Sequence, residues 1–228
     1  MIPSYQKTPH WPWSLTKHRD DHLHRDPQHF VGKEVIITEK MDGGITQFAG
    51  GRVFARSSNA PTHEQWFNYV KSVTLPKLYA VPPHLMPIGE DLYGVHSIEY
   101  DPLPDTFFLF HVQDREIKNI GTERTENDRF LSWAAVKEFA EKYGLRTVPE
   151  LFVGKFDSVD DITKWFMDHI GQPSTYGPVC EGFVMRIATS FAFDTFSRDV
   201  CKFVRANHVQ TDEHWTRHWK PAKLTKAE

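Results

Sequence analysis

The side chain best placed for covalent chemistry is Lys40, in the string Lys40-Met41-Asp42-Gly43-Gly44. It directly follows an apolar, β-branched segment, so a predicted strand holds its stem while its amine faces a turn. Desolvation and neighbouring cations would lower the pKa of such a lysine and leave some neutral, nucleophilic amine. The alternative is an ordinary surface lysine in a β-turn, since Asp-Gly is a common turn pair.

Other charged residues interrupt apolar segments at wide spacing. Glu90, Glu181 and Lys202 each lie inside a predicted strand, where a buried charge is costly unless it faces a polar cleft or a partner. A polar cleft is therefore predicted beside them. Arg56 ends a strand and Phe110 lies within one, so a surface charge and a core aromatic remain the alternatives for these two.

The elements that must position these residues follow from hydrophobic periodicity and turn signals. Strands are predicted over residues 33–39, 44–49, 52–57, 85–93, 106–112, 180–187 and 200–204, and helices over residues 61–73, 127–143 and 158–170. Thr62 and Ser158 are the expected N-caps, and Gly50-Gly51 predicts a hairpin turn. Because strands and helices do not alternate strictly, we expect an α+β fold with mainly antiparallel sheets.

Length and composition narrow the classes of protein. The 228 residues, 39% hydrophobic and 25% charged, suit one domain over residues 1–228 and argue against disorder. A net charge of −3 excludes nucleic-acid binding by bulk charge alone. Cys180 and Cys201 are too few for a disulfide framework, and no apolar run reaches the roughly 20 residues of a membrane span. We expect a cytoplasmic protein that does not contact membranes.

The chain resembles the covalent nucleotidyltransferases, which comprise ATP-dependent RNA and DNA ligases and mRNA capping enzymes. Their nucleophile motif is Lys-x-Asp-Gly, which residues 40–43 match. Further segments are similar to the family's other motifs in the expected order: 54–58 (FARSS), 89–94 (GEDLYG), 107–112 (FFLFHV), 181–186 (EGFVMR) and 201–205 (CKFVR). The resemblance covers about residues 33–205 and is greatest to the small phage and bacterial RNA ligases.

The resemblance implies a nucleotidyltransferase adenylation domain, with helices flanking antiparallel sheets around an ATP cleft. It implies Lys40, Glu181 and Lys202 as catalytic residues and Glu181 as a ligand for the metal, Mg²⁺ or Mn²⁺. Within it, Arg56 contacts nucleotide and RNA phosphate, Glu90 binds the ribose and Phe110 stacks on adenine. The implied nucleotide contacts are Thr38, Glu39, Lys40, Arg56, Glu90, Phe110, Glu181 and Lys202.

The reaction that the resemblance implies has three steps. Lys40 takes AMP from ATP as a lysyl–AMP phosphoramidate, AMP moves to an RNA 5′-phosphate, and a 3′-hydroxyl displaces AMP to seal the strand. Phosphoryl transfer of this kind needs mainly alignment and electrostatic stabilisation. A DNA ligase and a capping-type guanylyltransferase are the enzymatic alternatives, and a non-catalytic nucleotide- or RNA-binding module is the alternative from another class.

Three features depart from the family pattern. His111 follows the stacking aromatic where relatives often have Asp, and Val204 stands where they often have a second lysine. We also expect no oligonucleotide-binding barrel after Arg205. The first two departures favour the non-catalytic alternative, whereas retention of Lys40, Glu181 and Lys202 together argues against it.

Two other regions leave their function open. The histidines His18, His22, His24 and His29 form either a metal-binding cluster or, as we favour, part of a solvated loop. The aromatics Trp11 and Trp13 near the N-terminus either stack on RNA or pack as an arm. The same choice applies to residues 207–215, which mix aromatic, basic and amide side chains.

Overall fold

The computed structural model describes residues 4–15, 21–57, 60–116, 127–206, 217 and 219–225. Within these residues two mainly antiparallel sheets and four α-helices form an α+β fold, as predicted. The strands are β1 (Val35–Glu39), β2 (Gly44–Ala49), β3 (Arg52–Ala55), β4 (Leu85–Asp91), β5 (Phe107–Asp114), β6 (Arg129–Phe130), β7 (Arg146–Thr147), β8 (Glu150–Gly154), β9 (Gly182–Ile187), β10 (Phe191–Ala192) and β11 (Val200–Val204). The α-helices are α1 (Leu75–Lys77), α2 (Trp133–Lys142), α3 (Val159–His169) and α4 (Phe196–Asp199).

The strands divide between a four-stranded and a seven-stranded sheet. The smaller sheet has the order β11-β9-β1-β8, and the larger has the order β10-β6-β5-β4-β2-β3, with β7 parallel to β5. The chain passes from the smaller sheet to the larger directly after β1, where Lys40 lies. The predicted nucleophile therefore stands at the junction of the two sheets.

Hydrophobic packing fixes both sheets. On one side, Phe107 and Leu109 of β5 pack with Trp133 and Val136 of α2. On the other, Phe166 of α3 stacks on aromatic rings of the smaller sheet, 5.9 Å from Phe183 and 5.0 Å from Phe203 between ring centroids. Aromatic burial of this size is a large stabilising contribution, so the strands that bear the site rest on rigid supports.

Several predicted elements are confirmed. The β2–β3 hairpin turns at Gly50 and Gly51, whose φ angles of +54° and +69° lie in the left-handed region that favours glycine. Helix α3 begins after Ser158, whose hydroxyl accepts a hydrogen bond from the backbone N–H of Asp161 at 3.1 Å. The strand predicted over residues 200–204 is β11.

The helix predicted over residues 61–73 is wrong in type and extent. The segment instead forms a 3₁₀ turn (Gln65–Phe67), a π turn (Val70–Thr74) and the short α1. Thr62 is not an N-cap, because its backbone N–H donates to the Val53 carbonyl at 2.9 Å and ties it to β3. This tertiary hydrogen bond overrides the local capping signal.

The helix predicted over residues 127–143 begins later than expected. Arg129–Phe130 forms β6, which pairs with β5 and β10. Helix α2 then starts after Ser132, whose hydroxyl accepts from the backbone N–H of Ala135 at 3.3 Å. The residues predicted to begin the helix therefore form a strand, because they pair with distant strands.

Candidate active site

A cavity of about 280 Å³ opens where the two sheets meet. Strand β1 and the turn after it supply one wall, while β4 and β5 supply the opposite wall. The predicted nucleotide contacts that line it are Thr38, Glu39, Lys40, Arg56, Glu90, Phe110 and Lys202. The structure thus gathers all but one of them around one space, and the exception, Glu181, contacts Lys40 from beside it.

Lys40 is held by both its backbone and its side chain. Its N–H donates to the Gly182 carbonyl at 2.9 Å, which fixes the residue against the start of β9. Its ammonium nitrogen lies 2.5 Å from Oε2 of Glu181, and the two side chains are 25% and 4% exposed. A charge-assisted hydrogen bond in so dry a place holds the amine in one position.

The charge on Lys40 differs from the sequence prediction. Burial is the largest single influence and acts to lower the pKa of Lys40, but the carboxylates of Glu181, Glu90 and Asp42 together outweigh it and raise that pKa. The predicted lowering is therefore wrong for the ligand-free protein, in which the amine is an ammonium. The sequence pattern showed the cations nearby but not how many acids surround the lysine.

Asp42 organises the turn that follows Lys40. Its carboxylate Oδ2 accepts from the backbone N–H of Ile98 at 2.7 Å, and its own N–H donates to the Tyr100 hydroxyl at 2.8 Å. Gly43 comes next, where a Cβ would lie 2.5 Å from the Asp91 carbonyl oxygen. The Asp-Gly pair therefore fixes the turn after Lys40 against the loop that follows β4 and permits close approach to the end of β4.

Glu90 presents its carboxyl group to the cavity from β4. Burial raises the pKa of Glu90 to about 8, with Lys40 opposing the shift and Glu181 adding to it. The group therefore holds a proton at neutral pH in the ligand-free protein, and as an acid it is both a donor and an acceptor of hydrogen bonds.

Lys202 and Arg56 bring positive charge to the cavity from β11 and from the end of β3. Burial and repulsion from Lys40 lower the pKa of Lys202. Arg56 is exposed at the cavity rim. Two cations facing the same space as the amine are suited to bind phosphate.

Phe110 and His111 both line the cavity, and their ring centroids lie 5.4 Å apart. Phe110 is partly exposed, whereas His111 is buried among aromatic rings with its Nδ1 atom 3.0 Å from the Tyr5 hydroxyl. Burial lowers the pKa of His111 far below its usual value, so its ring is neutral. It therefore does not replace the acidic group expected at that position.

Sequence analysis missed some contributors to the cavity. Arg186 lines it while almost completely buried, and its Nη1 atom has no hydrogen-bond partner among the described residues. Glu39 similarly has a buried Oε1 without a partner in that part of the chain, while its Oε2 accepts from Thr175 at 2.9 Å. Arg186 stands in the 181–186 motif, which was a usable signal. Tyr5, by contrast, precedes every motif.

Residues 33–204 match the model of the RNA ligase family. The chain belongs to the RNA ligase family. A search of curated proteins gave no significant match.

Solved RNA ligases have the same fold. One Naegleria gruberi RNA ligase structure, with PPi, is 14% identical at a TM-score of 0.56 and covers 92% of this chain and 63% of its own. A mutant of that ligase, with ATP and Mn, is 15% identical at 0.55 and covers 89% and 60%. An archaeal ATP-dependent RNA ligase is 16% identical at 0.54 and covers 90% and 48%. This chain thus spans less than two thirds of these ligases' length.

Within the described residues, no group of three His, Cys, Asp or Glu side chains is arranged around a common metal position, so the metal-binding alternative for the histidines gains no support there. The favoured solvated loop is only partly right, since His22 is exposed whereas His24 is buried with its Nε2 atom 2.9 Å from the Arg198 carbonyl oxygen. His18 and residues 207–215 lie outside the described residues. No described helix combines the length and the hydropathy needed to cross a bilayer.

Proposed function

We propose that this RNA ligase family member is an ATP-dependent RNA ligase in which Lys40 is the nucleophile. The observation that supports it best is the position of Lys40. Its amine is fixed at a strand end, beside a buried carboxylate, on a cavity that Arg56, Arg186 and Lys202 also line. The archaeal ATP-dependent RNA ligase and the Naegleria gruberi ligase with ATP and Mn support the choice of nucleotide and metal.

In the first step the Lys40 amine forms a bond to the α-phosphorus of ATP, and the bond from that phosphorus to the bridging oxygen breaks. Pyrophosphate leaves with the electron pair, and the amine loses a proton as it becomes a phosphoramidate. The ammonium must first lose another proton. The carboxylate of Glu181 is the base within hydrogen-bond distance of the ammonium. Electrostatic repulsion from Lys202 and Arg56 disfavours the positive charge on Lys40.

Different residues of the cavity wall would bind the base, the ribose and the phosphates of the nucleotide. Phe110 offers an aromatic face to the adenine, and the unpartnered acceptor of Glu39 and donor of Arg186 match a base that both donates and accepts hydrogen bonds. Glu90 is placed to bind the ribose hydroxyls. Lys202 and Arg56 bind phosphate.

The cavity also suits a divalent ion held mainly by the nucleotide. Mg²⁺ in phosphoryl-transfer sites is bound by one or two carboxylates together with substrate phosphates. Glu181 is the carboxylate we assign to the metal and its waters. The metal, when bound, would neutralise phosphate charge and improve pyrophosphate as a leaving group.

The later steps take place on RNA. The AMP phosphorus moves from Lys40 to a terminal oxygen of the RNA 5′-phosphate, which frees the amine and forms a 5′-to-5′ pyrophosphate linkage. A 3′-hydroxyl then forms a bond to the RNA phosphorus, AMP leaves, and the hydroxyl proton is released. Arg56, at the exposed rim, is suited to contact this phosphate.

The test is incubation with α-labelled ATP and Mg²⁺, followed by denaturing electrophoresis and by sealing of RNA with 5′-phosphate and 3′-hydroxyl ends. We expect a labelled protein and a sealed RNA. Label from GTP would indicate a guanylyltransferase, and sealing of nicked DNA alone would indicate a DNA ligase. Binding of ATP with no label under any condition would indicate a non-catalytic module.

A further inference from the structure

The segment of residues 4–11, here called the N-terminal strap, joins the two sheets across the cavity. At one end, the Lys202 N–H donates to the Pro9 carbonyl at 2.9 Å and the Trp11 N–H donates to the Lys202 carbonyl at 2.7 Å. At the other end, the Tyr5 N–H donates to the Arg56 carbonyl at 3.0 Å. The strap thus bonds directly to the backbones of two cavity residues on different sheets.

The Tyr5 ring packs against aromatic residues of the cavity wall and of the core beside it. Its ring centroid is 5.7 Å from that of Phe110 and 5.3 Å from that of Phe196. Its hydroxyl meets Nδ1 of His111, the residue next to Phe110. Tyr5 therefore contacts two neighbouring residues of β5, one of which is the ring proposed to stack on adenine.

Charge does not disturb this contact near neutral pH. Burial raises the pKa of the Tyr5 hydroxyl and lowers that of His111, so both groups are neutral. The bond between them joins two uncharged partners in a dry setting, where an unmade hydrogen bond is costly. It fixes the Tyr5 ring against Phe110.

The strap also lines the cavity. Tyr5, Gln6 and Thr8 share that lining with Phe110 and Lys202. Trp11 is completely buried and anchors the strap's far end, which resolves its role in favour of packing. The strap therefore forms part of the cavity wall and also links the two sheets that make up the rest of it.

We infer that the N-terminal strap is a wall of the nucleotide site and that Tyr5 is a positioning residue, which sets Phe110 for stacking on the base. The inference rests on the proposed function for the identity of the nucleotide. Because Tyr5 acts on the base and not on the reacting phosphorus, it contributes equally to binding of the ground state and the transition state. Its loss should raise KM for ATP and leave kcat unchanged.

The test compares Tyr5→Phe and Tyr5→Ala with Tyr79→Phe, whose side chain is 68% exposed and outside the cavity. Calorimetry without metal measures the Kd of ATP, and labelling with Mg²⁺ measures KM and kcat of adenylation. We expect Tyr5→Phe to weaken binding about fivefold, as loss of one buried hydrogen bond does. Tyr5→Ala should weaken it at least about tenfold, with kcat within about twofold in both. Tyr79→Phe should match the wild type.

The outcomes separate this inference from the proposed function. If Tyr5→Phe folds like the wild type and its Kd and KM are unchanged, the strap inference is overturned while the ligase proposal stands. A fall in kcat without a rise in KM would also overturn it, since that result indicates a merely structural role. If the wild type binds ATP but never becomes labelled, the ligase proposal fails and the Kd values still decide the role of Tyr5. A wild type that binds no ATP would overturn both.

Discussion

The ammonium nitrogen of Lys40 lies 2.5 Å from Oε2 of Glu181, and that carboxylate is almost completely buried. The pair keeps the amine in place but in its protonated, unreactive form. Binding of the ligand must then favour the neutral amine of Lys40, because the carboxylates around Lys40 raise its pKa in the ligand-free protein. The same contact thus positions the Lys40 amine and keeps it protonated.

Replacing Lys40 separates its charge from its reactivity. Lys40→Ala and Lys40→Arg should both abolish the labelled adenylate, since neither has a primary amine. Lys40→Arg keeps a cation beside Glu181, so its stability should stay near that of the wild type. Lys40→Ala should lose about 2 kcal/mol of unfolding free energy, as a charged hydrogen bond is removed. Label retained on either variant, measured by denaturing electrophoresis, would remove Lys40 from the role of nucleophile.

Asp42 should affect the pH dependence of adenylation through the pKa of Lys40. The amine attacks only when neutral, so the rate rises with pH until the pKa of Lys40 is passed. Asp42→Asn removes a negative charge that raises this pKa, and the acidic limb should therefore move to lower pH. The Asn carbonyl can still accept from Ile98. The exposed Asp101→Asn is the control, and a limb that stays in place in both variants would contradict the expectation.

Glu90 should destabilise the ligand-free fold at high pH. Its pKa is about 8 in the folded protein against 4.5 as the reference, so the unfolded state loses the proton first. The penalty is absent below pH 4.5, grows as pH rises between these values and is complete above pH 8. Glu90→Gln should gain about 2–4 kcal/mol of stability relative to the wild type between pH 5 and pH 9.

Denaturant unfolding at both pH values measures this gain. The same variant should bind ATP more weakly, since the amide replaces the group that we propose to bind the ribose. A stability difference that is constant with pH would show that Glu90 is ionised in the folded protein.

Gly43 and Gly44 form a matched pair for testing close approach in the turn. A Cβ on Gly43 would meet the Asp91 carbonyl oxygen at 2.5 Å and Leu92 Cδ2 at 2.6 Å, whereas one on Gly44 would meet only the Asp91 oxygen, at 3.9 Å. Gly43→Ala should cost about 2 kcal/mol of stability and reduce adenylation, as overpacking does. Gly44→Ala should cost less than half of that. Equal losses in thermal unfolding would show that space is not what selects glycine at position 43.

The parts of the fold that were predictable are those with local signals. The β2–β3 hairpin follows from two adjacent glycines, and α3 follows from Ser158 and an apolar stripe. Helix α2 was placed too early because the pairing of β6 with β5 and β10 is a tertiary contact that no local pattern shows. The helix prediction around Val70 failed for the same reason.

The site likewise contains residues that the sequence indicated and contacts that it did not. The strand-end lysine and the charges in apolar strands indicated Lys40, Glu90 and Lys202, and the structure brings these together. The bond between Tyr5 and His111 joins residues 106 positions apart, so nothing near either residue could reveal it. The sign of the Lys40 pKa shift also depended on Glu90 and Glu181, which only the fold brings to Lys40.

The placement of Lys40 at the junction of the sheets has a mechanical meaning. An adenylate bonded to its amine would rest its base on Phe110 of the larger sheet while its phosphate lies beside Lys202 of the smaller one. Because the tether keeps the nucleotide at a high effective concentration, these contacts persist when free ATP is exhausted. The nucleotide of the lysyl–AMP intermediate would therefore link the two sheets. The adenylated protein would be stiffer than the ligand-free protein when it binds a broken RNA strand.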